Sequence, residues 1–171
     1  GDSADGVLAL AAQSMFDVFA RDALGMLVVD RSPAANWVAW LLGVPVIALT
    51  SGAIVFDHSS WLVWSALLAG ALYVYAAGSL IAYMMKDTRV TADELFAAGA
   101  TFTLIAWAFA YAYVVCQAWY PGSFTGFEPE RPRTWMELLF YSFSNLSATG
   151  LGDVLPVGPP ARVLTMLEQF A

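Results

Sequence analysis

Long runs of apolar residues alternate along the chain with short polar stretches. Three of these runs, residues 37–56, 61–85 and 95–120, are at least twenty residues long and contain no Asp, Glu, Lys or Arg. A helix of about 20 apolar residues is long enough to cross a bilayer. The pattern therefore predicts three membrane-spanning helices joined by polar loops.

Residues 7–29 form a fourth apolar segment that polar side chains interrupt. Gln13, Asp17 and Arg21 recur every fourth residue, so they share one face of a helix. Asp17 and Arg21 have the spacing of an intrahelical ion pair. Two interpretations are open: a spanning helix whose polar face is directed into a helix bundle, or an amphipathic helix lying at the membrane interface.

A different pattern appears near the end of the chain, where a short amphipathic segment precedes a glycine-rich one. Thr134 and Glu137 have the spacing of a capping box and predict a helix over residues 134–146. This helix is too short to cross a bilayer. Gly150 and Gly152 then alternate with larger residues, which permits backbone angles that direct successive carbonyl groups to one side. We interpret this stretch as a half-helix that dips into the bilayer and returns as a carbonyl-lined strand.

Residues 147–153 read Ser-Ala-Thr-Gly-Leu-Gly-Asp, and Pro156 follows after two further residues. This stretch resembles the selectivity-filter region of the tetrameric potassium-channel superfamily, where the usual pattern is T-T-V-G-Y-G-D followed by a Pro at the same distance. Both glycines, Asp153 and Pro156 match in register. The resemblance implies an all-α integral membrane protein with several transmembrane helices, a re-entrant pore helix and a selectivity-filter loop.

The same resemblance assigns roles to individual residues. It implies that a monovalent cation, K+ or also Na+, is bound by backbone oxygens in rings that replace its hydration shell. The implied ion-binding residues are Ala148, Thr149, Gly150, Leu151 and Gly152, with the cation held by the last four. The residues expected to support this filter are Ser144, Ser147, Asp153, Thr134 and Glu137. No cofactor other than the permeant ion is expected.

Three positions depart from the pattern of the superfamily. Ala148 stands where the family has a Thr whose hydroxyl completes the innermost ion site. Leu151 replaces the Tyr that braces the filter, and a Leu side chain cannot donate a hydrogen bond. Ser144 stands where some members have a buried Glu. The sequence therefore predicts a potassium-like cation channel, with a non-selective cation channel as the alternative.

The resemblance also organises the chain into two predicted domains. Residues 1–90 would form an N-terminal membrane bundle with helices at about 7–29, 37–56 and 61–85. Residues 91–171 would form a pore module, whose parts are an outer helix at about 94–120, a turret at 121–133, the pore helix at 134–146, the filter at 147–153 and the start of an inner helix at 161–171. Since a complete pore module needs a full inner helix, we expect the native protein to be longer at both ends.

Composition and charge agree with a multi-pass protein of the cell membrane. The 171 residues are 60% hydrophobic and only 12% charged, whereas soluble proteins average about 25% charged residues. The net charge of −7 argues against nucleic acid as a partner. The expected partners are the lipid bilayer and three further copies of the chain, because one filter loop per chain requires a homotetramer.

The sequence leaves two further functions open. The string Gly150-Leu151-Gly152-Asp153 also fits the GxGD motif of intramembrane aspartyl proteases, which use two Asp carboxylates. In such an enzyme Asp153 would lie in a spanning helix, but Pro156 interrupts helix formation there, and no Tyr-Asp pair supplies a second catalytic Asp. We therefore expect no enzymatic activity. A non-conducting membrane scaffold subunit is the remaining alternative.

Overall fold

The computed structural model describes residues 33–56, 59–85, 92–126, 128 and 131–171. These residues form five helices and two very short strands. The elements are α1 (Pro33–Phe56), α2 (Ser59–Met84), α3 (Ala92–Trp119), β1 (Phe124–Thr125), α4 (Trp135–Leu146), β2 (Leu155–Pro156) and α5 (Pro159–Phe170). The predicted all-helical class is confirmed for this part of the chain.

Two of the helices are long and apolar enough to cross a membrane. They contain the segments Ser60–Met84 and Leu95–Trp119, each with a mean hydropathy of 1.6. These segments agree with two of the predicted spans. Helix α1 contains a shorter apolar segment, Trp40–Ala53. The predicted segment 7–29, with Asp17 and Arg21, lies outside the described residues.

Two helices begin earlier than the sequence predicts, and each begins at a proline. Helix α1 starts at Pro33 rather than at about residue 37, and α5 starts at Pro159 rather than at residue 161. A proline in the first turn of a helix loses no hydrogen bond, because the N–H groups there have no partner within the helix. Proline interrupts a helix in its interior but is favoured at its first position, which explains why both helices begin at a proline.

The chain divides into two compact units, Gly1–Ala69 and Gly70–Ala171. In the first unit, α1 approaches the start of α2 at Gly52. A Cβ atom on Gly52 would lie 2.6 Å from a ring carbon of Trp61, so this position accommodates only glycine unless the ring moves. The predicted division into domains at residue 90 stays a prediction.

In the second unit, α3 is the helix against which α4 and α5 pack. Two alanines on α3, Ala106 and Ala110, are fully buried, and such small side chains let helix backbones approach closely in a membrane. Beside them, Trp107 makes an edge-on contact with Trp135 of α4 at a centroid distance of 5.0 Å.

Aromatic rings fill the core between these three helices. The rings of Tyr113, Phe124 and Tyr141 contact each other edge to face, with centroid distances of 5.2 to 5.9 Å. Leu138 and Ala161, both fully buried, belong to the same cluster, as do Cys116 and Val154. Edge-to-face pairs of this kind contribute about 1 kcal/mol each beyond the apolar area that they bury.

The strands β1 and β2 join the loop after α3 to the segment that precedes α5. They pair antiparallel, with Phe124 opposite Pro156 and Thr125 opposite Leu155. The Ser123 carbonyl extends the contact by accepting hydrogen bonds from the N–H groups of Val157 and Gly158, at 2.9 and 3.0 Å. This pairing fixes both ends of the segment that contains α4 and the glycine-rich residues.

Candidate functional site

The site begins at the N-terminus of α4, where the predicted capping box is confirmed. The Thr134 hydroxyl accepts a hydrogen bond from the Glu137 N–H at 3.3 Å. In return, the Glu137 carboxylate accepts one from the Thr134 N–H at 2.6 Å. Two of the N–H groups that a helix start leaves without partners are thereby satisfied.

Glu137 also forms an ion pair with a residue of the preceding loop. Arg131 donates to the Glu137 carboxylate at 2.8 Å and to that of Glu128 at 3.0 Å. Burial alone would raise the pKa of Glu137, but the hydrogen bonds from Thr134 and the charge of Arg131 outweigh it. The pKa of Glu137 is therefore held below its ordinary value, and the start of α4 carries a carboxylate that the helix dipole also stabilises.

At the other end of α4, the chain folds back onto the last helical turn. The Ser144 carbonyl accepts hydrogen bonds from the N–H groups of Thr149 and Gly150, at 3.0 and 3.2 Å. It also accepts one from the Thr149 hydroxyl at 3.1 Å. The Ser147 hydroxyl lies 3.0 Å from that of Thr149. These bonds fasten the first half of the Gly-rich loop, residues 147–153, to the C-terminal turn of α4.

The backbone of the Gly-rich loop has a positive φ at every second residue. The values are 57° at Ala148, 64° at Gly150 and 154° at Gly152. Glycine adopts such angles without penalty, whereas Ala148 pays about 1 kcal/mol for a left-handed conformation. The backbone angles that glycine permits occur at Gly150 and Gly152, and the alternation extends to Ala148, two residues closer to α4.

The hydrogen bonds to Ser144 fix the direction of two carbonyl groups. In a planar trans peptide, the C=O group points opposite to the N–H group. The N–H groups of Thr149 and Gly150 point at α4, so the carbonyls in the same peptide units, those of Ala148 and Thr149, point away from it. The result is a pair of neighbouring carbonyl oxygens on the outer side of the loop.

The Leu151 carbonyl has a different environment. It accepts a hydrogen bond from the side-chain hydroxyl of Ser144, which is buried against the loop. The Leu151 side chain itself is 68% exposed. Ser144 therefore contacts the loop twice, through its backbone carbonyl and through its hydroxyl, although the sequence indicated only that it lies behind the loop.

The loop ends at Asp153, which is exposed and is followed by buried Val154. The supporting role that the resemblance implies for Asp153 stays a prediction, as does cation binding by the loop. Within the described residues, no group of three or more His, Cys, Asp and Glu side chains is placed to hold a metal ion.

A second polar cluster lies behind α4, and none of its residues was predicted from the sequence to belong to a site. Glu168 of α5 is fully buried and lies within hydrogen-bonding distance of the hydroxyls of Tyr113 of α3 and Ser142 of α4. Beside it, the hydroxyls of Tyr141 and Thr165 lie 2.8 Å apart. The sequence did contain one signal for this cluster, namely a carboxyl group in a segment expected to cross the membrane. Such groups normally have specific partners.

Comparison with known families gives one match. Residues 99–171 match the family model described as an ion channel, of the two-transmembrane type. The match begins within α3 and includes α4, the Gly-rich loop and α5. The resemblance predicted from the loop is thus confirmed for this part of the chain. No curated protein and no solved structure matches the chain.

Proposed function

We propose that this chain, whose residues 99–171 belong to an ion channel family of the two-transmembrane type, is one subunit of a homotetrameric, potassium-like cation channel. Four copies of the Gly-rich loop would surround a common axis and conduct ions passively across the cell membrane. The observation that supports this function best is the direction of the Ala148 and Thr149 carbonyls, which point away from α4 because their peptide N–H groups are bonded to Ser144.

Carbonyl oxygens directed at an axis can replace the water molecules around a cation. In the proposed tetramer, each of the two carbonyls would form a ring of four oxygens. Gly150 and Gly152 would extend the path, since their positive φ angles continue the same alternation. A metal cofactor has no part in this mechanism, and the permeant ion is the only ligand.

The electrostatics of α4 favour cations over anions. The C-terminal end of a helix bears a partial negative charge, and the Gly-rich loop follows that end of α4 directly. At the outer side, the exposed carboxyl groups of Glu128 and Asp153 would raise the local concentration of cations. Both contributions act on charge alone and do not distinguish K+ from Na+.

One observation favours the second candidate, a non-selective cation channel. The hydrogen bond from the Ser144 hydroxyl occupies the Leu151 carbonyl, so this oxygen is less available to a permeating ion. Ala148 offers no hydroxyl to the innermost position, unlike the Thr of the family pattern. We therefore expect potassium to be preferred only modestly, and chloride to be excluded.

The two other functions, an intramembrane protease and a scaffold subunit, have less support. The match to an ion channel family favours conduction over proteolysis by Asp153. The segment after Asp153 enters β2 rather than a helix, as the prolines predicted. A scaffold subunit would need no alternation of backbone angles at Ala148, Gly150 and Gly152. We expect the protein to function in a lipid bilayer and without a nucleic acid partner.

The proposal is tested by the reversal potential of the full-length protein in planar bilayers, with potassium on one side and sodium on the other. We expect a shift towards the potassium equilibrium potential. A reversal near zero, with chloride excluded, would establish the non-selective alternative. A stable tetramer that passes no current under any gating condition tested would contradict the proposal.

Two glycine variants provide a matched control. A Cβ atom on Gly150 or on Gly99 would meet no heavy atom within 4 Å, but only Gly150 has a positive φ. Gly150→Ala should therefore strain the loop by about 1 kcal/mol and lower the potassium preference about fivefold. Gly99→Ala, within α3, should leave the reversal potential unchanged. Equal reversal potentials in the two variants would show that the loop does not select the ion.

A further inference from the structure

Glu168 is a fully buried acid that contacts three helices of the second unit. Its carboxyl group belongs to α5, and it reaches Tyr113 of α3 and Ser142 of α4. Glu168 lies in the third turn of α5, and its partner Ser142 lies in the second half of α4. A buried carboxyl at this depth requires partners for both of its oxygens.

Each carboxyl oxygen has one hydroxyl partner. The Tyr113 hydroxyl donates to Glu168 Oε2 at 2.5 Å, and Ser142 Oγ lies within hydrogen-bonding distance of Oε1. Ser142 Oγ also lies 2.8 Å from the Ala106 carbonyl oxygen. A hydroxyl has a single hydrogen, so Ser142 can donate to only one of these two oxygens.

The position of the hydrogens follows from this count. If Glu168 is protonated, it donates to Ser142 Oγ, and the Ser142 hydroxyl donates to the Ala106 carbonyl. Tyr113 then donates to the remaining carboxyl oxygen, and every contact in the cluster is a hydrogen bond. If Glu168 is ionised, the single hydrogen of the Ser142 hydroxyl can serve either Glu168 or the Ala106 carbonyl, and the other close contact has no hydrogen.

The surroundings of Glu168 also fit a neutral acid. The titratable groups that face it are Tyr113 from α3 and Tyr141 from α4, and the latter bonds to Thr165. Among the described cationic side chains, Arg131 forms ion pairs with Glu128 and Glu137. The guanidinium of Arg133 donates to the carbonyls of Glu128 and Arg131, and that of Arg162 donates to the Pro156 carbonyl. No cation therefore compensates a charge on Glu168 in this part of the chain.

We infer that Glu168, in its protonated form, is a positioning residue that fixes α4 between α3 and α5 and thereby sets the geometry of the Gly-rich loop. This inference rests on the proposed channel function. The link to the loop is short, because Ser142 precedes Ser144 by two residues on α4. Ser144 is the residue whose carbonyl and hydroxyl hold the loop. A displacement of α4 at Ser142 would therefore displace the loop.

Glutamine and leucine substitutions separate this role from simple packing. The Gln side chain in Glu168→Gln can accept from Tyr113 and donate to Ser142, as the protonated acid does. The Leu side chain in Glu168→Leu fills a similar volume but makes neither bond. We expect E168Q to keep the wild-type potassium-to-sodium permeability ratio, and E168L to lower it by about fivefold or more, because both hydrogen bonds are lost.

The matched control is Gln169→Leu, which changes the neighbouring exposed residue of α5 and should leave the permeability ratio unchanged. A permeability ratio in E168L equal to that of the wild type would overturn the inference. So would a ratio in E168Q as low as that in E168L, because the bonds that E168Q retains would then not set the loop geometry.

A measurement that needs no current distinguishes failure of this inference from failure of the channel function. The infrared difference spectrum of wild type minus E168Q should contain the C=O band of one protonated carboxyl group. A carboxylate band in its place would overturn the inference even if the protein conducts. If the wild type passes no selective current, the channel function fails by itself, and E168Q must then still unfold at a higher temperature than E168L for the positioning role to stand.

Discussion

Helix α4 has two faces that differ in what covers them. On its buried face, Trp135, Leu138 and Tyr141 pack against α3 and the core cluster. On its exposed face, Met136 and Phe140 are 64% and 55% exposed. The buried face is completed within one chain, whereas large apolar side chains remain uncovered on the exposed face. Contiguous exposed apolar surface of this kind is typical of a surface that another protein or lipid covers.

The same difference separates the two sides of the Gly-rich loop. Its inner side is held by Ser144, through hydrogen bonds to Thr149 and Gly150. Its outer side is exposed from Ser147 to Asp153. The loop is therefore held from behind by hydrogen bonds within one chain. In the proposed tetramer, the other three chains would cover it from the front.

The largest effect on stability is expected when a side chain on the buried face of α4 is shortened and compared with one on the exposed face. Leu138→Ala removes a fully buried side chain and should lower the free energy of unfolding by about 3 kcal/mol, through lost burial and a residual cavity. Thermal unfolding in detergent measures this. Phe140→Ala should cost less than about 1 kcal/mol in the same experiment, because the side chain is half exposed.

Phe140→Ala should instead weaken the assembly of subunits. Its effect is measured by the fraction of tetramer that survives increasing detergent, with Leu138→Ala as the reference. Equal losses of unfolding free energy and of tetramer in the two variants would contradict the prediction that the buried face stabilises the chain and the exposed face stabilises the assembly.

A close backbone contact near the strands should give the next largest effect. A Cβ atom on Gly158 would lie 2.8 Å from Ser123 Oγ and 3.0 Å from Ser123 Cα. Gly158→Ala should therefore destabilise the second unit by about 2 kcal/mol, because backbone atoms must move. Gly78→Ala is the control: its Cβ meets no atom within 4 Å inside a helix, so it should be neutral or slightly stabilising.

A smaller effect, on selectivity, is expected at Ser144. Ser144→Ala keeps the backbone carbonyl that bonds Thr149 and Gly150 but removes the hydroxyl donor to Leu151. The Leu151 carbonyl is then free to face the ion, and we expect the potassium-to-sodium permeability ratio to rise about fivefold, the equivalent of one hydrogen bond. Ser79→Ala removes a hydroxyl that bonds only its own helix and should change nothing. A lower ratio in Ser144→Ala would mean that the hydroxyl supports selectivity instead.

The smallest effect concerns acid stability at the start of α4. The pKa of Glu137 is held below its ordinary value in the folded protein, so its contribution to stability is complete above the unfolded pKa of about 4.3. This contribution is lost as the pH falls through the folded pKa. Glu137→Gln should be less stable at neutral pH by under about 1 kcal/mol, and the difference should vanish in acid. A difference that persists at low pH would show that the charge is not involved.

The sequence predicted the parts of the second unit that depend on local signals. The capping box at Thr134 and Glu137 needs only two residues three apart. The alternation of Gly150 and Gly152 indicated the backbone angles of the loop directly. The spans in α2 and α3 followed from composition, because a membrane helix needs an uninterrupted apolar run.

The sequence did not predict contacts between residues that are distant along the chain. The strands β1 and β2 have two residues each, too few for any periodic pattern. Glu168 contacts Tyr113 and Ser142 only because α3, α4 and α5 pack together. The Ser144 hydroxyl meets Leu151 because the loop folds back, and a serine near a helix end is too common to indicate such a contact.

The pairing of β1 with β2 closes the chain into a ring that contains α4 and the Gly-rich loop. Lengthening a closed loop costs little, about 0.6 kcal/mol for each doubling of its length. Insertions beside exposed Glu128 should therefore leave the ring closed. The outer surface of the protein can thus diversify in evolution, or accept an engineered tag, while the Gly-rich loop keeps its place.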